Sequence, residues 1–321
     1  SLTVGAPVAE TDPAGRRRSG RCSVERWGMV DIVHHAVIGT AGAGLATALG
    51  QQEVAIGFIV GSILPDIDVL FMALGKARFL RLHQGVTHSL VGLPILATVV
   101  AGLLQPALGA PLLPLLAGVI AGMALHVALD ILNTFGVNLL WPMKGRICLD
   151  AFFFIDVQVF VSSTAFAVAA WTGHGLTAAV AWLLFVASYS ALRWWWRRLI
   201  MREHGLTTAV PSGVAPMTWF VTKRDADGIR TGKVSGIRRR CVWTGTVAEA
   251  DADLLDELRT GPVFSDLERS LKLFVPVAVE RHAEGTTVRS RCVAVPNFGN
   301  RYGETTSVIV DGKVINEDSA I

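Results

Sequence analysis

The amino-acid sequence predicts an all-α polytopic membrane domain of about five to six helical segments, followed by a small β-rich soluble domain. Of the 321 residues, 51% are hydrophobic and 17% are charged, whereas soluble domains carry roughly 25% charged residues. The charges are also unevenly distributed, because Asp130 is the only charged residue between positions 90 and 143, and Asp156 the only one between 151 and 192. Such stretches are typical of chains that cross a bilayer.

Six apolar segments are the predicted membrane helices, at residues 33–49, 53–64, 90–106, 112–133, 152–172 and 176–193. A spanning helix needs roughly 20 residues, so the second segment is short, and the first two form either two passes or one re-entrant hairpin. Small residues on these two segments favour close helix packing: Gly39, Gly42, Gly44, Gly57 and Gly61.

Basic residues indicate the orientation in the membrane, since Lys and Arg are enriched in cytoplasmic loops. With either arrangement of the first two segments they fall on one side, and the loops at residues 105–111 and 172–175 on the other side contain no Lys or Arg. We therefore expect a multi-pass protein of the inner (plasma) membrane with cytoplasmic N- and C-termini. The run from Arg193 to Arg198, which includes three tryptophans, is expected to anchor the last helix at the membrane surface.

The predicted domains are a disordered basic N-terminal tail at residues 1–28, the membrane domain at 29–200 and a cytoplasmic β-rich domain at 205–321. The β-rich domain contains short alternating runs of the kind that forms strands. These runs predict strands at 217–222, 233–239 and 287–295, and a helix is expected at 248–259.

The membrane bilayer is the expected partner. A net charge of +3 is too small to indicate nucleic acid, and the basic residues of the β-rich domain are interpreted as solvated or lipid-facing. Four widely spaced cysteines without a CxxC pair predict neither a zinc knuckle nor a disulfide framework. The oligomeric state is left open.

Histidines and aspartates are grouped beside the apolar segments. His34 and His35 stand where the first segment begins, and Pro65 ends the second segment just before Asp66 and Asp68. Paired carboxylates can hold a divalent cation, and an ordinary solvated turn is an equal alternative. Taken alone, the two histidines are better explained as interfacial polar residues than as ligands.

Two further groups are more specific. His83 and His88 lie five residues apart with a glycine between them, so a turn can aim both imidazoles at one cation, although solvated loop histidines remain an alternative. His126, Asp130 and Asn133 follow one stripe of a membrane helix. A charged residue at the centre of such a helix costs roughly 2.5–3.5 kcal/mol, so this stripe predicts a cavity, a ligand or an interhelical hydrogen-bonded pair.

Asp150 and Asp156 flank the start of the fifth segment, and Asp156 is the better candidate because it lies inside the apolar stretch. In the predicted topology all of these groups lie at the cytoplasmic ends of their helices. Unrelated explanations for each group would not require this common location. The pattern therefore favours one metal site, and it excludes His174, which lies on the opposite face.

The motifs LPDID at Leu64–Asp68, HQGVTHS at His83–Ser89 and HVALDILNTFGV at His126–Val137 resemble those of the YdjM-like family of membrane-bound, metal-dependent hydrolases, some of which are described as LexA-regulated. Family members commonly have Arg where Gln84 stands, so a basic contact to substrate phosphate is missing here or supplied elsewhere. The family is similar in turn to the zinc-dependent phospholipase C and single-strand nuclease superfamily, whose helical enzymes cleave phosphoesters.

This resemblance implies a divalent-metal cofactor, zinc with manganese as the alternative, and hydrolysis of a phosphate-bearing lipid or other amphiphile by a metal-activated water. Asp68 would accept the proton. His34, Asn133 and Asp156 would be further ligands or would support the ligands. The implied metal ligands are His35, Asp66, His83, His88, His126 and Asp130.

Two other functions fit the same residues. A metal-ion or proton transporter would use His and Asp to carry its cargo, but it predicts polar residues continuing across the bilayer, whereas here they stop near one face. A non-catalytic membrane anchor for the β-rich domain would keep the metal site as a structural element only.

Overall fold

The computed structural model describes residues 24–74, 85–143, 145–153, 155–294 and 304–320. The N-terminal part is helical. Three stretches within these ranges are long and apolar enough to cross a membrane, at Gln52–Phe71, Leu112–Leu132 and Val157–His204, and two shorter apolar helices cover Ile32–Ala48 and Gly92–Leu108. Two antiparallel sheets follow. The predicted fold class, a helical membrane domain and then a β-rich region, is confirmed.

The described residues of the membrane part contain six α-helices. Two 3₁₀ segments lie between the second and third of these helices, at Leu64–Leu74 and at Val86–His88. The helices are α1 (Val24–Ala48), α2 (Gln52–Ile63), α3 (Gly92–Leu108), α4 (Leu112–Leu132), α5 (Val157–Ala169) and α6 (Gly175–His204). Helix α1 thus includes the last five residues of the predicted N-terminal tail.

Helices α5 and α6 form a hairpin. Between them lies a π-helical turn, Ala170–His174, in which Gly173 has a φ of 91°. This left-handed conformation suits glycine and reverses the chain, and the two helices then pack against each other. The reversal falls at the loop predicted for residues 172–175.

Four glycines bring α2 and α4 into close contact. Gly57 and Gly61 of α2 face Gly118 and Gly122 of α4, and a β-carbon on any of the four would lie 2.1–2.4 Å from a backbone carbonyl oxygen of the other helix. Small residues four positions apart are the usual means by which membrane helices approach closely. The expected role of Gly57 and Gly61 in packing agrees with this geometry.

Helix α2 lies between α1 and α4. On the outside, α3 packs on α4, and α5 packs on α1 together with the start of α6. Helices α4 and α6 line the two sides of a groove. Buried apolar side chains of α1, α4, α5 and α6 form the largest core of the membrane part.

Three predicted helix boundaries are wrong. Helix α1 begins at Val24, nine residues before the expected start of the first segment at residue 33. The segment expected at 152–172 begins as a helix only at Val157, because Asp156 caps its N-terminus. The segment expected to end at residue 193 continues to His204. Arg193 is therefore inside a helix and only 2% exposed, where it donates hydrogen bonds to the carbonyl oxygens of Ala151 and Ser212. Arg193 thus connects α6 to the segment before α5 and to the segment after residue 211. Its expected role as a membrane-surface anchor is wrong.

The C-terminal region contains two four-stranded antiparallel sheets, β1–β4 and β5–β8, each in sequential order. Trp219 and Val221 of the first sheet share a core with Ile200 of α6, so this sheet is seated on the end of α6. The strands are β1 (Thr208–Pro211), β2 (Thr218–Asp225), β3 (Gly228–Ser235), β4 (Arg240–Val247), β5 (Phe274–His282), β6 (Gly285–Cys292), β7 (Glu304–Val310) and β8 (Lys313–Ala320).

Details of this region differ from the sequence prediction. The strand expected at 233–239 combines the end of β3 with a turn, in which Gly236 and Arg239 have positive φ angles of 72° and 48°. The helix expected at 248–259 is the shorter α7 (Ala252–Leu258), and a second helix, α8 (Pro262–Ser270), was not predicted. Helix α8 is short but amphipathic and begins with Pro262, a helix-start signal in the sequence, and its apolar residues Phe264 and Leu267 pack on the second sheet.

Candidate metal centre

Four separate segments bring histidine and aspartate side chains to one buried point. His35 comes from α1, Asp66 from the 3₁₀ segment after α2, His88 from the 3₁₀ turn before α3, and His126 and Asp130 from α4. All five are buried, with exposures between 0% and 7%. Burial of this many ionisable groups in one place is costly unless they are paired or bind a cation.

His126 is at the centre of this cluster. Its Nε2 lies 3.4 Å from Asp66 Oδ1, 3.3 Å from Asp130 Oδ2 and 3.2 Å from His88 Nε2. Its Nδ1 donates to the carbonyl oxygen of Ser62 at 2.7 Å. Because that bond keeps the proton of a neutral ring on Nδ1, the lone pair of Nε2 is directed into the cluster, as a metal ligand requires.

His88 is oriented in a similar way. Its Nε2 lies 3.4 Å from Asp130 Oδ2 and 3.9 Å from Asp66 Oδ1. Its other nitrogen, Nδ1, lies 2.9 Å from the Thr87 hydroxyl oxygen, and that hydroxyl donates to Asp68 Oδ2 at 3.0 Å. Asp68, which is fully buried, thus lies behind the His88 ring, with Oδ2 3.7 Å from Nδ1.

His35 and Asn133 complete the surroundings of Asp130. The His35 ring stacks on His126 with a centroid distance of 3.7 Å, and its Nε2 lies 3.4 Å from Asp130 Oδ1. Asn133 donates to the same Oδ1 at 3.2 Å and accepts hydrogen bonds from the two backbone N–H groups that follow α4, those of Phe135 and Gly136. Oδ1 of Asp130 is therefore held by Asn133 and lies near His35, whereas Oδ2 faces His88 and His126.

The distances fit a shared cation. Zinc binds nitrogen and oxygen at roughly 2.0–2.2 Å, so two ligand atoms of a tetrahedral site lie about 3.3–3.5 Å apart. Five pairs among the ligand atoms of Asp66, His88, His126 and Asp130 are separated by 3.2–3.9 Å. His126 belongs to two overlapping groups that could each hold an ion, one with Asp66 and His88 and one with His35 and Asp130.

The hydrogen bonding also leaves room for a cation. Oδ2 of Asp66 and Oδ2 of Asp130 are buried and accept no hydrogen bond from any residue in the described ranges. No Lys or Arg in those ranges pairs with either carboxylate, and the ion-pair contacts of both are with histidines. A bound divalent cation would compensate the charge of the two carboxylates and satisfy these oxygens, so the residues present fit a divalent metal ion.

The remaining candidates lie elsewhere or beside the cluster. His34 stacks on His35 with a centroid distance of 5.9 Å, and its Nε2 lies 3.5 Å from the Ser163 hydroxyl. Asp156 accepts bonds from the first N–H groups of α5, at 3.1 and 3.3 Å, and from Tyr189. Asp150 contacts Lys272 and the Arg197 guanidinium. His83 lies outside the described residues.

Two residues of the centre were missed by the sequence reasoning, Thr87 and Ser62. Thr87 stands directly before His88, so a hydroxyl beside a candidate ligand was a usable signal. Ser62 contributes its backbone carbonyl, and no side-chain pattern could have identified it.

The comparisons with known proteins agree with this architecture. The chain is 29% identical over 158 residues to the "Uncharacterized protein YfhP" of Bacillus subtilis (strain 168), an alignment that covers 46% of this chain and 47% of that protein, so the chain spans about half the length of this relative. No solved structure matches. The family described as YdjM inner membrane protein matches residues 29–200. Because this match covers more than half of the sequence, including the whole candidate metal centre, the chain belongs to the YdjM inner membrane protein family.

Proposed function

We propose that the protein is a membrane-bound, metal-dependent hydrolase that cleaves a phosphoester of a lipid or another amphiphile. One observation carries the proposal: side chains from four separate segments form one buried cluster, in which neighbouring ligand atoms lie 3.2–3.9 Å apart. Zinc is the proposed ion, since imidazole nitrogens and carboxylate oxygens are its usual ligands, and manganese is the alternative.

His88, His126, Asp66 and Asp130 would hold the ion, and His35 would complete the second group around Asp130. When bound, a divalent cation polarises a phosphoryl oxygen and lowers the pKa of bound water toward neutrality. The protein contributes rigidity: the Ser62 carbonyl and the Thr87 hydroxyl fix the imidazole rings. Such supporting contacts change metal affinity or activity by about 10- to 100-fold when they are lost.

Asp68 is proposed as the group that receives a proton, as the sequence suggested. The Thr87 hydroxyl lies between Asp68 and the His88 ring, 3.0 Å from the carboxylate and 2.9 Å from the imidazole nitrogen. In this arrangement Asp68 also positions the ring. Asp68→Asn keeps the shape of the side chain, so a loss of turnover with intact metal binding would support the proton-accepting role.

We also propose a multi-pass topology in the inner membrane with both termini in the cytoplasm. The family is an inner membrane protein family, and three helices are long enough to span. The basic residues of the loops support the orientation. Labelling of single cysteines introduced at Thr172 and at Asp227, with a reagent that does not cross membranes, should modify only the former in intact cells.

The test of function begins with metal content. Elemental mass spectrometry of detergent-purified wild type should find about one or two equivalents of zinc or manganese, and a His88→Ala, His126→Ala double variant should lose them. His174→Ala is the matched control, since His174 is exposed and remote in sequence from the cluster.

Hydrolysis is then measured with a chromogenic phosphodiester and with phospholipid in mixed micelles. Turnover that depends on added metal and disappears in the double variant would support the hydrolase. Stoichiometric metal without turnover of either substrate class would favour the structural anchor, and wild type that binds no metal after reconstitution would refute the proposal.

A further inference from the structure

A second feature of the membrane part is a groove of about 500 Å³ between α4 and α6. It lies on a different face of α4 from His126 and Asp130. Leucine, alanine, valine and tryptophan side chains and the single hydroxyl of Ser190 form its walls. The lining residues on α4 are Leu125, Ala128, Leu129 and Leu132, those of the following loop are Leu149 and Ala151, and those on α6 are Trp182, Leu183, Val186, Ala187, Ser190, Ala191 and Trp194.

Ser190 is an unsatisfied polar group in this groove. It is 5% exposed, and its hydroxyl has no hydrogen-bond partner in the described part of the chain. Serines inside membrane helices usually donate to the carbonyl four residues earlier, as Ser163 and Ser188 do here. The Ser190 oxygen itself is buried, so the groove offers a ligand an almost entirely apolar wall.

The guanidinium of Arg198 lies over Trp194, which is one helical turn after Ser190 on α6. It stacks 3.9 Å above the ring of Trp194, which lines the groove. Long side chains on a helix point back toward its N-terminus, so this charge lies near the level of Trp194, about 6 Å along the axis from Ser190. Arg193 and Arg197 have carboxylate partners, whereas Arg198 forms no ion pair with any residue that the structure describes.

We infer that this groove binds an anionic phospholipid of the surrounding membrane. One acyl chain lies along the apolar walls, and the phosphate contacts Arg198. The order of the two features along α6, apolar wall and then cation, matches the order of acyl chain and phosphate in such a lipid. Both walls belong to stretches apolar enough to cross a membrane, so bilayer lipid has direct access.

This inference is independent of the proposed hydrolase, because no metal ligand lines the groove. The test uses full-length protein in detergent micelles that contain dioleoyl-phosphatidylglycerol or, for comparison, neutral dioleoyl-phosphatidylcholine. Native mass spectrometry counts the lipids retained by each protein. Wild type should retain one phosphatidylglycerol molecule and should prefer it to phosphatidylcholine.

Two pairs of variants locate the lipid. Ala187→Phe fills the groove and should reduce retention at least tenfold, whereas Ala181→Phe, an equally exposed position of α6 outside the groove, should behave as wild type. Arg198→Ala should abolish the preference for phosphatidylglycerol, and Arg202→Ala, one turn further along the helix, should keep it.

Retention by Ala187→Phe at the wild-type level would overturn the inference. So would a wild-type dimer that Ala187→Phe converts to monomer, since a second copy would then occupy the groove. If Ala187→Phe does not fold, the Arg198→Ala comparison decides alone, because that side chain is exposed, and an unchanged lipid preference would be a negative answer.

Discussion

Gly61→Ala tests whether close packing of α2 and α4 maintains the metal centre. The new β-carbon would lie 2.1 Å from the carbonyl oxygen of Val119. Because real contacts of this kind are at least about 3 Å, the helices must separate by about 0.9 Å. Ser62 follows directly in the chain, so its 2.7 Å hydrogen bond to His126 Nδ1 would stretch beyond normal hydrogen-bond length.

The expected loss of stability is about 1–3 kcal/mol from overpacking, with roughly 1 kcal/mol more if the hydrogen bond breaks. Metal affinity should fall about 10- to 100-fold, as for other losses of a contact that orients a ligand. Thermal unfolding in detergent and competition with a chromophoric chelator measure the two effects.

Gly102→Ala is the matched control, since a β-carbon at Gly102 in α3 meets no atom within 4 Å. It should be neutral or stabilising by up to about 1 kcal/mol, because alanine favours helices more than glycine does. If Gly61→Ala unfolds at the wild-type temperature and binds metal with wild-type affinity, the proposed link between helix packing and the metal centre is incorrect.

Three further changes have distinct expected results. Thr87→Val removes the hydroxyl that holds His88 and should weaken metal binding about 10- to 100-fold. Thr98→Val, at an exposed position of α3, should leave the affinity unchanged. Equal metal affinities of the two variants in a chelator competition would argue against a role of Thr87 in orienting His88. Arg193→Met leaves the buried Asp156 without its cation and should lower the free energy of unfolding by about 3–5 kcal/mol, measured by denaturant unfolding. Adding Asp156→Asn should restore part of this stability. If stability does not recover, the loss comes mainly from packing. A chelator should lower the unfolding temperature of wild type but not of His126→Ala, and an equal shift in both would place the metal elsewhere.

The sequence predicted the helical part well where one local pattern decided the outcome. Long uncharged stretches identify membrane helices because charges are costly in lipid. The spacing of His126 and Asp130 placed both on one helical stripe, and they do meet, at 3.3 Å. The LPDID motif placed Asp66 immediately after a helix end, where the structure brings it to His126.

Other features depend on contacts between distant segments and were therefore not predictable. Arg193 has the composition of a membrane anchor, yet its partners are Ala151 and Ser212, in segments far apart in the chain. Asp156 looked like a ligand because it is an aspartate inside an apolar stretch, but it caps α5 and pairs with Arg193. The sequence placed the charge of Asp156 inside an apolar stretch but placed Arg193 at the membrane surface, and in neither case could it identify the partner.

The buried guanidinium of Arg193 has a consequence for the evolution of the family. The family match ends at residue 200, whereas one acceptor of Arg193, the Ser212 carbonyl, lies beyond it. In a relative that lacks the two sheets, an arginine here would lose that acceptor, and selection should favour an apolar residue instead. Apolar residues at the positions of both Arg193 and Asp156 are therefore expected in a relative that lacks the two sheets.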